Sequence, residues 1–522
     1  MKIPLSLVLL TILVFSPALR NGFTNWDDDL DILYNPKIRI HSFSDVMHLF
    51  DLPLNNASVS LRNLTYALEY HLFGFKPVFF IADNILLHTA NTVLVFYFIR
   101  LLVGNVPMAI LSALVFSLSP LRVESVAWIS QRKDVLYAFF YLIGLIQYVY
   151  FLTSRDQRKF LIRAIIFFIL ACLSKPQGLS FPFSMVALCF FFDRKDILKK
   201  WLPTLITAMS LMGLYALIKG KLLLIAHALY LYAIKIIFPW PLSAFYTPIT
   251  SISSWSMPVM FSALMLVVIT VLAVRLKDRH INFTLLFMVA NLILPLAYLT
   301  DILPGHGADD KFKPIIADRY TYMAGIGFAF LIAYGIFKCW QKQKNRVWVI
   351  VFCVVYLSLA AGMSATRCKV WQNSFTLWTD VLRQDRTIPR AWHNLGLFFD
   401  RQGQPQKALE CFDKAIAIDG DFTSAYLNKG GIYGRLGAYE KSLAAFDHAL
   451  ALKPDNAGGW MNRANTLCVM GRLKEALNDY AHAEALQPLD AQIHTARAAC
   501  MRRVKNAILL APDELLHRDD KK

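Results

Sequence analysis

Residues 4–29 read PLSLVLLTILVFSPALRNGFTNWDDD, an apolar run followed closely by three adjacent aspartates. The run at 4–19 is about long enough to cross a bilayer, so Asp27, Asp28 and Asp29 come where hydrocarbon meets water. A carboxylate at that boundary is energetically costly unless water solvates it, a partner pairs with it or it has a function. We therefore interpret the triplet as a candidate general base or metal ligand. A solvated acidic turn is the alternative interpretation.

The composition excludes both a soluble globular protein and a disordered chain. The 522 residues are 56% hydrophobic and 17% charged, with a mean hydropathy of +0.44, which indicates a polytopic membrane protein. The net charge of +18 would suggest nucleic acid for a soluble protein, but many basic residues lie in loops between apolar runs and mark orientation. We predict no nucleic-acid partner. Eight scattered cysteines predict neither a disulfide framework nor a zinc site.

Eleven apolar runs predict membrane-spanning helices. They cover residues 4–19, 78–103, 107–121, 134–153, 160–175, 178–192, 201–218, 256–274, 282–300, 322–338 and 346–364. For the first run, a cleaved signal peptide is the alternative. The further run 222–240 is predicted to be interfacial or re-entrant, because only then do all four basic loops face the cytoplasm. On that count the outer loop 20–77 and the C-terminal region share the non-cytoplasmic side.

The C-terminal region repeats every 34 residues. Trp392, Tyr426 and Trp460 recur at this spacing, which is the tetratricopeptide (TPR) period. The concave face of such a solenoid binds an extended segment of another protein, and a docking or stability module is the alternative. The predicted domains are a membrane domain at 1–365, a connector with a partial repeat helix at 366–390, three repeats at 391–492, and a capping helix with a basic tail at 493–522.

Further polar groups fall on the predicted outer side of the membrane. They are Arg122, Glu124, Arg132, Lys133 and Asp134 in one stretch, then Lys175, then Asp318 and Arg319. Clustered Arg and Lys at a bilayer surface suit a phosphate, whereas snorkelling explains most lone basic residues near span ends. Inside the second span, Asn84, His88 and Asn91 share one helix face, which must therefore meet other helices. We predict structural hydrogen bonding for this face in preference to catalysis.

The order of these motifs resembles the transmembrane and TPR-containing O-mannosyltransferases (the TMTC family) and their bacterial relatives, within the multi-span GT-C glycosyltransferases. The resemblance covers NWDDD, LRNLTYALEYHLFGFKP, SPLRVESVAWISQRKDVL, SKPQG, ADRYTYMAGIGF and the terminal repeats. It implies an all-α fold: a GT-C helical bundle of about 11 spans followed by a TPR α-solenoid. The chain departs from the family pattern at Ser119 and Arg122, where a typical member has histidines.

The resemblance implies transfer of one sugar, typically mannose, from a polyprenyl-phosphate donor to Ser or Thr hydroxyls of a protein acceptor held by the TPR array. We assign catalysis to Asp27, Asp28 and Glu124, donor-phosphate binding to Arg132, Lys133, Lys175 and Arg319, and a supporting role to Asn84, His88, Arg122, Asp134 and Asp318. No cofactor is assigned, and the acids leave room for a divalent metal ion. Membrane lipid is a further partner.

Two other functions remain open at this point. One is a membrane-anchored TPR scaffold for the assembly of envelope proteins, and the other is a GT-C transferase that acts on a lipid or glycan acceptor. A transporter is disfavoured, because a transport pathway would usually leave ionisable groups near the membrane midplane. The predicted location is a bacterial inner membrane, with the TPR array in the periplasm.

Overall fold

The computed structural model describes residues 5–50, 59–154, 158–197, 199, 222–246, 256–299, 316–342 and 346–510. Across these ranges every regular element is a helix, which confirms the all-α fold class. The contacts divide the chain into two compact units, Met1–Asp380 and Val381–Lys522. The predicted membrane-domain boundary at residue 365 precedes this division, because Trp371 and Trp378 are buried within the first unit.

The first unit is built from helices that differ widely in length. In chain order they are α1 (Leu5–Phe15), α2 (Phe43–His48), α3 (Ser60–Phe73), α4 (Pro77–Val103), α5 (Val106–Leu118), α6 (Val123–Ala127), α7 (Arg132–Thr153), α8 (Arg158–Ser174), α9 (Phe181–Phe191), α10 (Leu222–Ile237), α11 (Met257–Leu276), α12 (Arg279–Leu299), α13 (Thr321–Trp340) and α14 (Arg346–Cys368), with α15 (Ser374–Gln384) crossing the division. Short turns of helix join several of them, including Pro120–Arg122, Ile129–Gln131 and Asp318–Tyr320.

Local sequence explains where the long apolar helices begin. Pro77 starts α4 after the extended residue Lys76, a position where the missing proline N–H costs no helical hydrogen bond. The side chain of Asn105 caps α5 by accepting a hydrogen bond from the Met108 N–H at 2.9 Å. Such a cap satisfies N–H groups that have no partner within the helix. It therefore marks the start of α5 as a helix separate from α4, with a short turn between them.

Four helices in the described part of the chain are long and apolar enough to cross a membrane. They are Pro77–Val103, Ile129–Thr153, Asp318–Trp340 and Arg346–Trp371, and the bent pair Val106–Leu118 and Pro120–Ala127 raises the number to five. The total of about eleven spans stays a prediction, and the run 201–218 lies outside the described residues. The predicted interfacial run at 222–240 contains α10, whose Ala228 and Tyr232 pack against Leu292 and Leu296 of α12.

The second unit stacks helix pairs in the order expected for repeats. The helices are α16 (Pro389–Arg401), α17 (Pro405–Ile418), α18 (Thr423–Arg435), α19 (Tyr439–Leu452), α20 (Ala457–Val469), α21 (Leu473–Leu486) and α22 (Ala491–Leu510). Gly403, Gly437 and Gly471 lie between paired helices with φ of 68°, 75° and 79°, a conformation that favours glycine. This geometry accounts for a glycine every 34 residues.

One cysteine pair corrects the expectation that the chain has no disulfide. Cys468 of α20 and Cys500 of α22 are joined, with their Cα atoms 6.0 Å apart. The sequence did not indicate this pair, because its 32-residue separation is bridged only when the capping helix packs on the third repeat. The disulfide therefore attaches the capping helix covalently to the last repeat.

Candidate active site

The loop that carries the aspartate triplet is tied to the end of the last apolar helix of the first unit. The side-chain amide of Asn21 donates to the Cys368 carbonyl at 3.0 Å. The Gly22 N–H donates to the Gln372 carbonyl at 2.9 Å. The N-terminal loop and the residues that follow α14 are therefore neighbours at one end of the helical bundle.

Asp28 is fully buried, and both of its carboxylate oxygens are occupied by protein donors. Oδ1 accepts hydrogen bonds from Trp128 Nε1 at 2.9 Å, from the Ser130 N–H at 3.0 Å and from the Ser130 hydroxyl. Oδ2 accepts from the Thr24 N–H at 2.7 Å and from the Thr24 hydroxyl at 3.0 Å. An ionised carboxylate offers about four lone-pair sites, and protein donors fill those of Asp28. Asp28 therefore holds the loop in position.

The buried position of Asp28 predicts a pH-dependent contribution to stability. Burial raises the pKa of its carboxyl from 3.8 to about 6, although hydrogen bonds from Ser130 and Thr24 act in the opposite direction. Because the folded-state pKa exceeds the unfolded-state value, the folded protein binds the proton more tightly. The stabilising contribution of the protonated form is complete below about pH 4 and is lost as the pH rises through about 6.

We expect wild-type stability to fall relative to Asp28→Asn between about pH 4 and pH 6, by about 3 kcal/mol, and the difference to stay constant above that range. Unfolding of both proteins in detergent across this pH range measures the difference. A difference that does not change with pH would contradict the assignment.

Asp27, next to Asp28 in the chain, presents its carboxylate to solvent beside a lysine. Its side chain is 40% exposed, and Lys133 Nζ lies 3.9 Å from its Oδ2. The same Nζ lies 3.8 Å from Oδ2 of Asp31, whose Oδ2 is also contacted by Arg62 Nη1 at 2.7 Å. These distances to Lys133 are longer than a direct charge-assisted hydrogen bond. The Lys133 ammonium is therefore held loosely and remains available to an anion.

Four tryptophans, Trp26, Trp128, Trp371 and Trp378, pack against one another next to the aspartate triplet. Ring centroids are 4.6 Å apart for Trp26 and Trp128, 4.9 Å for Trp128 and Trp371, and 5.2 Å for Trp26 and Trp378. The guanidinium carbon of Arg319 lies 5.7 Å from the Trp26 centroid and 5.8 Å from that of Trp128, distances at which a cation and an aromatic ring attract. Sequence reasoning missed this cluster, since tryptophans near span ends usually anchor a helix at the interface.

Glu124 and Arg319 form a buried ion pair with two points of contact. Oε1 of Glu124 accepts from Arg319 Nη1 at 2.5 Å, and Oε2 accepts from the Arg319 backbone N–H at 2.9 Å. Side-chain exposure is 4% for Glu124 and 15% for Arg319. Charge-assisted contacts of this kind set the direction of a guanidinium. Glu124 therefore orients Arg319, whose Nε and Nη2 have no protein partner among the described residues.

Arg132 is directed into the protein by four neighbours. It is fully buried and donates to the Glu69 carboxylate, to Asn84 Oδ1 at 2.9 Å, to the Phe80 carbonyl at 2.6 Å and to Thr65 Oγ1 at 3.3 Å. Sequence reasoning missed Glu69, which lies on the inner face of the amphipathic helix α3. These contacts favour a structural part for Arg132, which fixes α3 against α4 and α7.

Lys175 is also paired inside the protein. Its Nζ donates to Oδ1 of Asp134, and Oδ2 of Asp134 accepts from the Ser125 hydroxyl at 2.9 Å. Asp134 and Lys175 side chains are 0% and 7% exposed. Asp318, a further predicted residue, accepts from the Tyr246 hydroxyl at 2.7 Å. These contacts connect separate segments inside the protein through Lys175, Asp134 and Asp318.

The polar stripe of α4 faces other helices, as predicted. Nδ1 of His88 lies 2.7 Å from the Tyr322 hydroxyl, and its Nε2 lies 3.2 Å from the Ser117 carbonyl. Since a carbonyl only accepts, Nε2 donates to Ser117, and Nδ1 shares a hydrogen bond with the Tyr322 hydroxyl. Asn91 donates to the Tyr322 hydroxyl at 3.1 Å, and Asn84 donates to the Trp128 carbonyl at 3.3 Å.

The predicted site residues thus separate into two groups. The side chains of Asp27, Lys133 and Arg319 retain exposures of 40%, 19% and 15%, whereas the others are buried and bonded to protein. The buried group comprises Asp28, Asn84, His88, Arg122, Glu124, Arg132, Asp134, Lys175 and Asp318. In the described ranges, no three His, Cys, Asp or Glu side chains gather where a metal ion would fit, and the divalent metal ion stays a prediction.

Comparison with known proteins identifies relatives along most of the chain. Tetratricopeptide-repeat models match residues 389–422 and 421–487. The protein O-mannosyl-transferase TMTC3 of Mus musculus is 22% identical over 422 residues, covering 70% of this chain and 45% of the relative. A protein O-mannosyl-transferase of Caenorhabditis elegans is 22% identical over 458 residues, covering 80% and 63%. The chain thus spans less than half the length of the mouse relative.

Among solved structures, the Arabidopsis OM64 TPR domain matches 22% of this chain and 96% of its own, with 20% identity and a TM-score of 0.22. The human protein O-mannosyl-transferase TMTC1 is 30% identical over 146 residues, covering 26% of this chain and 16% of the relative. The motif order from NWDDD to the terminal repeats and the sequence similarity agree: the chain is similar to the TMTC protein O-mannosyl-transferases and carries tetratricopeptide repeats.

Proposed function

We propose that this chain is a membrane glycosyltransferase that moves a sugar, mannose, from a polyprenyl-phosphate donor to Ser or Thr hydroxyls of a protein acceptor held by its TPR array. The observation that carries the proposal is an exposed carboxylate, Asp27, with Lys133 Nζ 3.9 Å from its Oδ2 and with Arg319 packed on the preceding residue, Trp26. The phosphate of a lipid-linked donor lies where water meets hydrocarbon. A carboxylate and two cations at that boundary can act on the donor. The names of the relatives also support it.

Asp27 acts as the general base in this proposal. It takes the proton of the acceptor hydroxyl while the hydroxyl oxygen attacks the anomeric carbon. The bond from that carbon to the phosphate oxygen breaks, and the electron pair leaves with the lipid phosphate. Asp27 suits the role better than Asp28, because its carboxylate reaches solvent, whereas five protein donors occupy Asp28.

Lys133 and Arg319 stabilise the phosphate as it departs. Negative charge grows on the leaving group, and fixed positive groups lower the barrier most when they need no reorientation. The Glu124 carboxylate and the rings of Trp26 and Trp128 hold Arg319 in place. Of the four predicted phosphate ligands, Lys133 and Arg319 therefore contact the phosphate, and Arg132 and Lys175 have structural roles.

Removing the repeats tests whether the membrane domain binds the donor while the TPR array holds the protein acceptor. A chain that ends after residue 386 keeps Trp371 and Trp378, which pack in the cluster around Trp26. We expect it to bind labelled polyprenyl-phosphate mannose like the full chain but to transfer no mannose to protein. Both are measured on purified protein, by equilibrium binding and by transfer of label to acceptor.

Two results of this truncation experiment would contradict the proposal. Loss of donor binding in a folded truncated chain would show that the first unit does not bind the donor by itself. Unchanged transfer to protein would show that the array is not needed to hold the acceptor. Transfer to a lipid or glycan by the full chain, without transfer to protein, would favour the alternative acceptor class.

The array is proposed to lie outside the cytoplasm, in the periplasm of a bacterial cell. The last apolar helix of the first unit ends beside the aspartate loop, since the ring centroids of Trp371 and Trp26 are 6.3 Å apart. Disulfides such as Cys468–Cys500 persist in oxidising compartments. Alkylation of both thiols in intact cells without added reductant would place the array in the cytoplasm instead.

A further inference from the structure

Helix α3 turns polar side chains toward the protein and leucines away from it. Its buried residues include three polar side chains, each 4% exposed: Arg62, Asn63 and Glu69. Leu68 and Leu72 are instead 62% and 63% exposed. Together with Leu61 and Leu64, which are partly exposed, they recur at helical spacing and form a leucine row on the outer side. In a soluble protein the apolar side of a helix faces the core, so the orientation of α3 is reversed.

The inward polar side chains of α3 pair within the protein. Nη1 of Arg62 donates to Oδ2 of Asp31 at 2.7 Å. The Tyr66 hydroxyl donates to the Ile129 carbonyl at 2.7 Å, and Glu69 is held by the ion pair described above. Since α3 contains no other Asp, Glu, Lys or Arg, the side of the helix with the leucine row carries no such charge.

The helices next to α3 also expose aliphatic side chains. α3 packs against α4 and α8. α4 is long and apolar enough to cross a membrane, and its Val78 and Leu86 are exposed. On α8 the exposed side chains are Ile162, Ile165, Ile166 and Ile169. Exposed apolar surface of this extent marks contact with a membrane or with a protein partner, and a neighbouring candidate span favours the membrane.

We propose that the leucine row of α3 lies in the acyl chains at the surface of the bilayer. The helix has 14 residues, whereas about 20 are needed to cross the hydrocarbon. An amphipathic helix that is too short to cross lies in the membrane interface. The occupant of this surface is bilayer phospholipid, which contacts the helix through its acyl chains. Part of the predicted outer loop 20–77 is therefore placed against lipid.

Contact with lipid makes α3 an anchor for the aspartate loop. Its Arg62 donates to Asp31, in the loop itself. Tyr66 donates to the carbonyl of the residue before Ser130, and the Ser130 N–H donates to Asp28. α3 therefore links the aspartate loop to the bilayer surface, and this role does not depend on the proposed transferase activity.

Photo-crosslinking of the full-length protein in phospholipid nanodiscs tests the contact with lipid. The crosslinker p-benzoylphenylalanine is incorporated in place of Leu68 or Leu72. Ile350 is the lipid-facing reference, because it is 52% exposed on the candidate span α14, and Leu452, 41% exposed in the repeats, is the matched control. We expect acyl-chain adducts at positions 68 and 72 as at 350, and none at 452, by mass spectrometry of the labelled peptides.

Two results of the crosslinking would overturn the inference. One is the absence of lipid adducts at positions 68 and 72 while position 350 forms them. The other is a crosslinked dimer in place of lipid adducts, which would make the leucine row an interface between two copies of this chain.

A pair of glutamines tests the anchoring role. Leu68→Gln with Leu72→Gln weakens the contact with hydrocarbon without adding a charge. Because α3 is then held less firmly, we expect the amides of residues 27–34 to exchange with deuterium about tenfold faster or more in nanodiscs. The control, Leu436→Gln with Leu452→Gln, alters two exposed leucines of the repeats and should leave that exchange unchanged.

Unchanged exchange of residues 27–34 in the first pair, or equal acceleration in both pairs, would contradict the anchoring role. If the double variant does not fold, Leu72→Gln alone gives the measurement, since this residue lies in the last turn of α3. Neither experiment measures sugar transfer, so a failure of the transferase proposal would leave both results intact.

Discussion

Replacing Asp27 with asparagine is expected to reduce sugar transfer about 10²- to 10⁴-fold, the range that a general base contributes. Asparagine keeps the size of the side chain but cannot take the proton of an acceptor hydroxyl. Because the side chain is 40% exposed and only 3.9 Å contacts with Lys133 are lost, folding and donor binding should change little. Transfer of labelled mannose, donor binding and unfolding are measured on the same preparation.

Asp83→Asn is the matched control for this experiment. The Asp83 side chain is 49% exposed and its Oδ2 lies 3.9 Å from Arg132 Nη1, so it resembles Asp27 in exposure and in distance to a cation. It lies on α4 and has no assigned part in the reaction, so its variant should transfer normally. Transfer by Asp27→Asn at the wild-type rate would contradict the catalytic assignment. An equal loss of transfer in both variants would show that the effect comes from the loss of a negative charge in general.

Replacing Arg132 with methionine should have the largest effect on folding. The change leaves the Glu69 carboxylate, whose side chain is 5% exposed, without its buried partner. Breaking a buried pair by removing one member typically costs about 3–5 kcal/mol. We expect Arg132→Met to unfold at a lower temperature or denaturant concentration, which unfolding in detergent measures.

The neighbouring Lys133 gives the contrast that separates structure from binding. It is 19% exposed and loosely held between Asp27 and Asp31, so Lys133→Met should unfold like wild type but bind the donor more weakly. The double variant Arg132→Met with Glu69→Met should recover part of the lost stability, because no unpaired charge remains buried. A stable Arg132→Met protein that fails to bind donor would instead make Arg132 a phosphate ligand.

The comparison of adjacent residues shows why the site was only partly predictable. Asp27 and Asp28, like Arg132 and Lys133, are equivalent in composition and position along the chain. Their surroundings differ because Trp128, Ser130 and Thr24 enclose Asp28, and Glu69 and Asn84 enclose Arg132. Sequence patterns locate such clusters but do not identify which member faces solvent.

The sequence by itself determined the membrane domain, the 34-residue repeats and the side of the bundle on which the charged motifs gather, since hydropathy and periodicity act locally along the chain. Only the tertiary structure decided the pairings, Glu124 with Arg319, Lys175 with Asp134 and Cys468 with Cys500. It also decided that Arg122 is buried, with its Nε lacking a hydrogen-bond partner in the described part of the chain. The physical reason is that burial and pairing depend on contacts between distant segments, which no local pattern specifies.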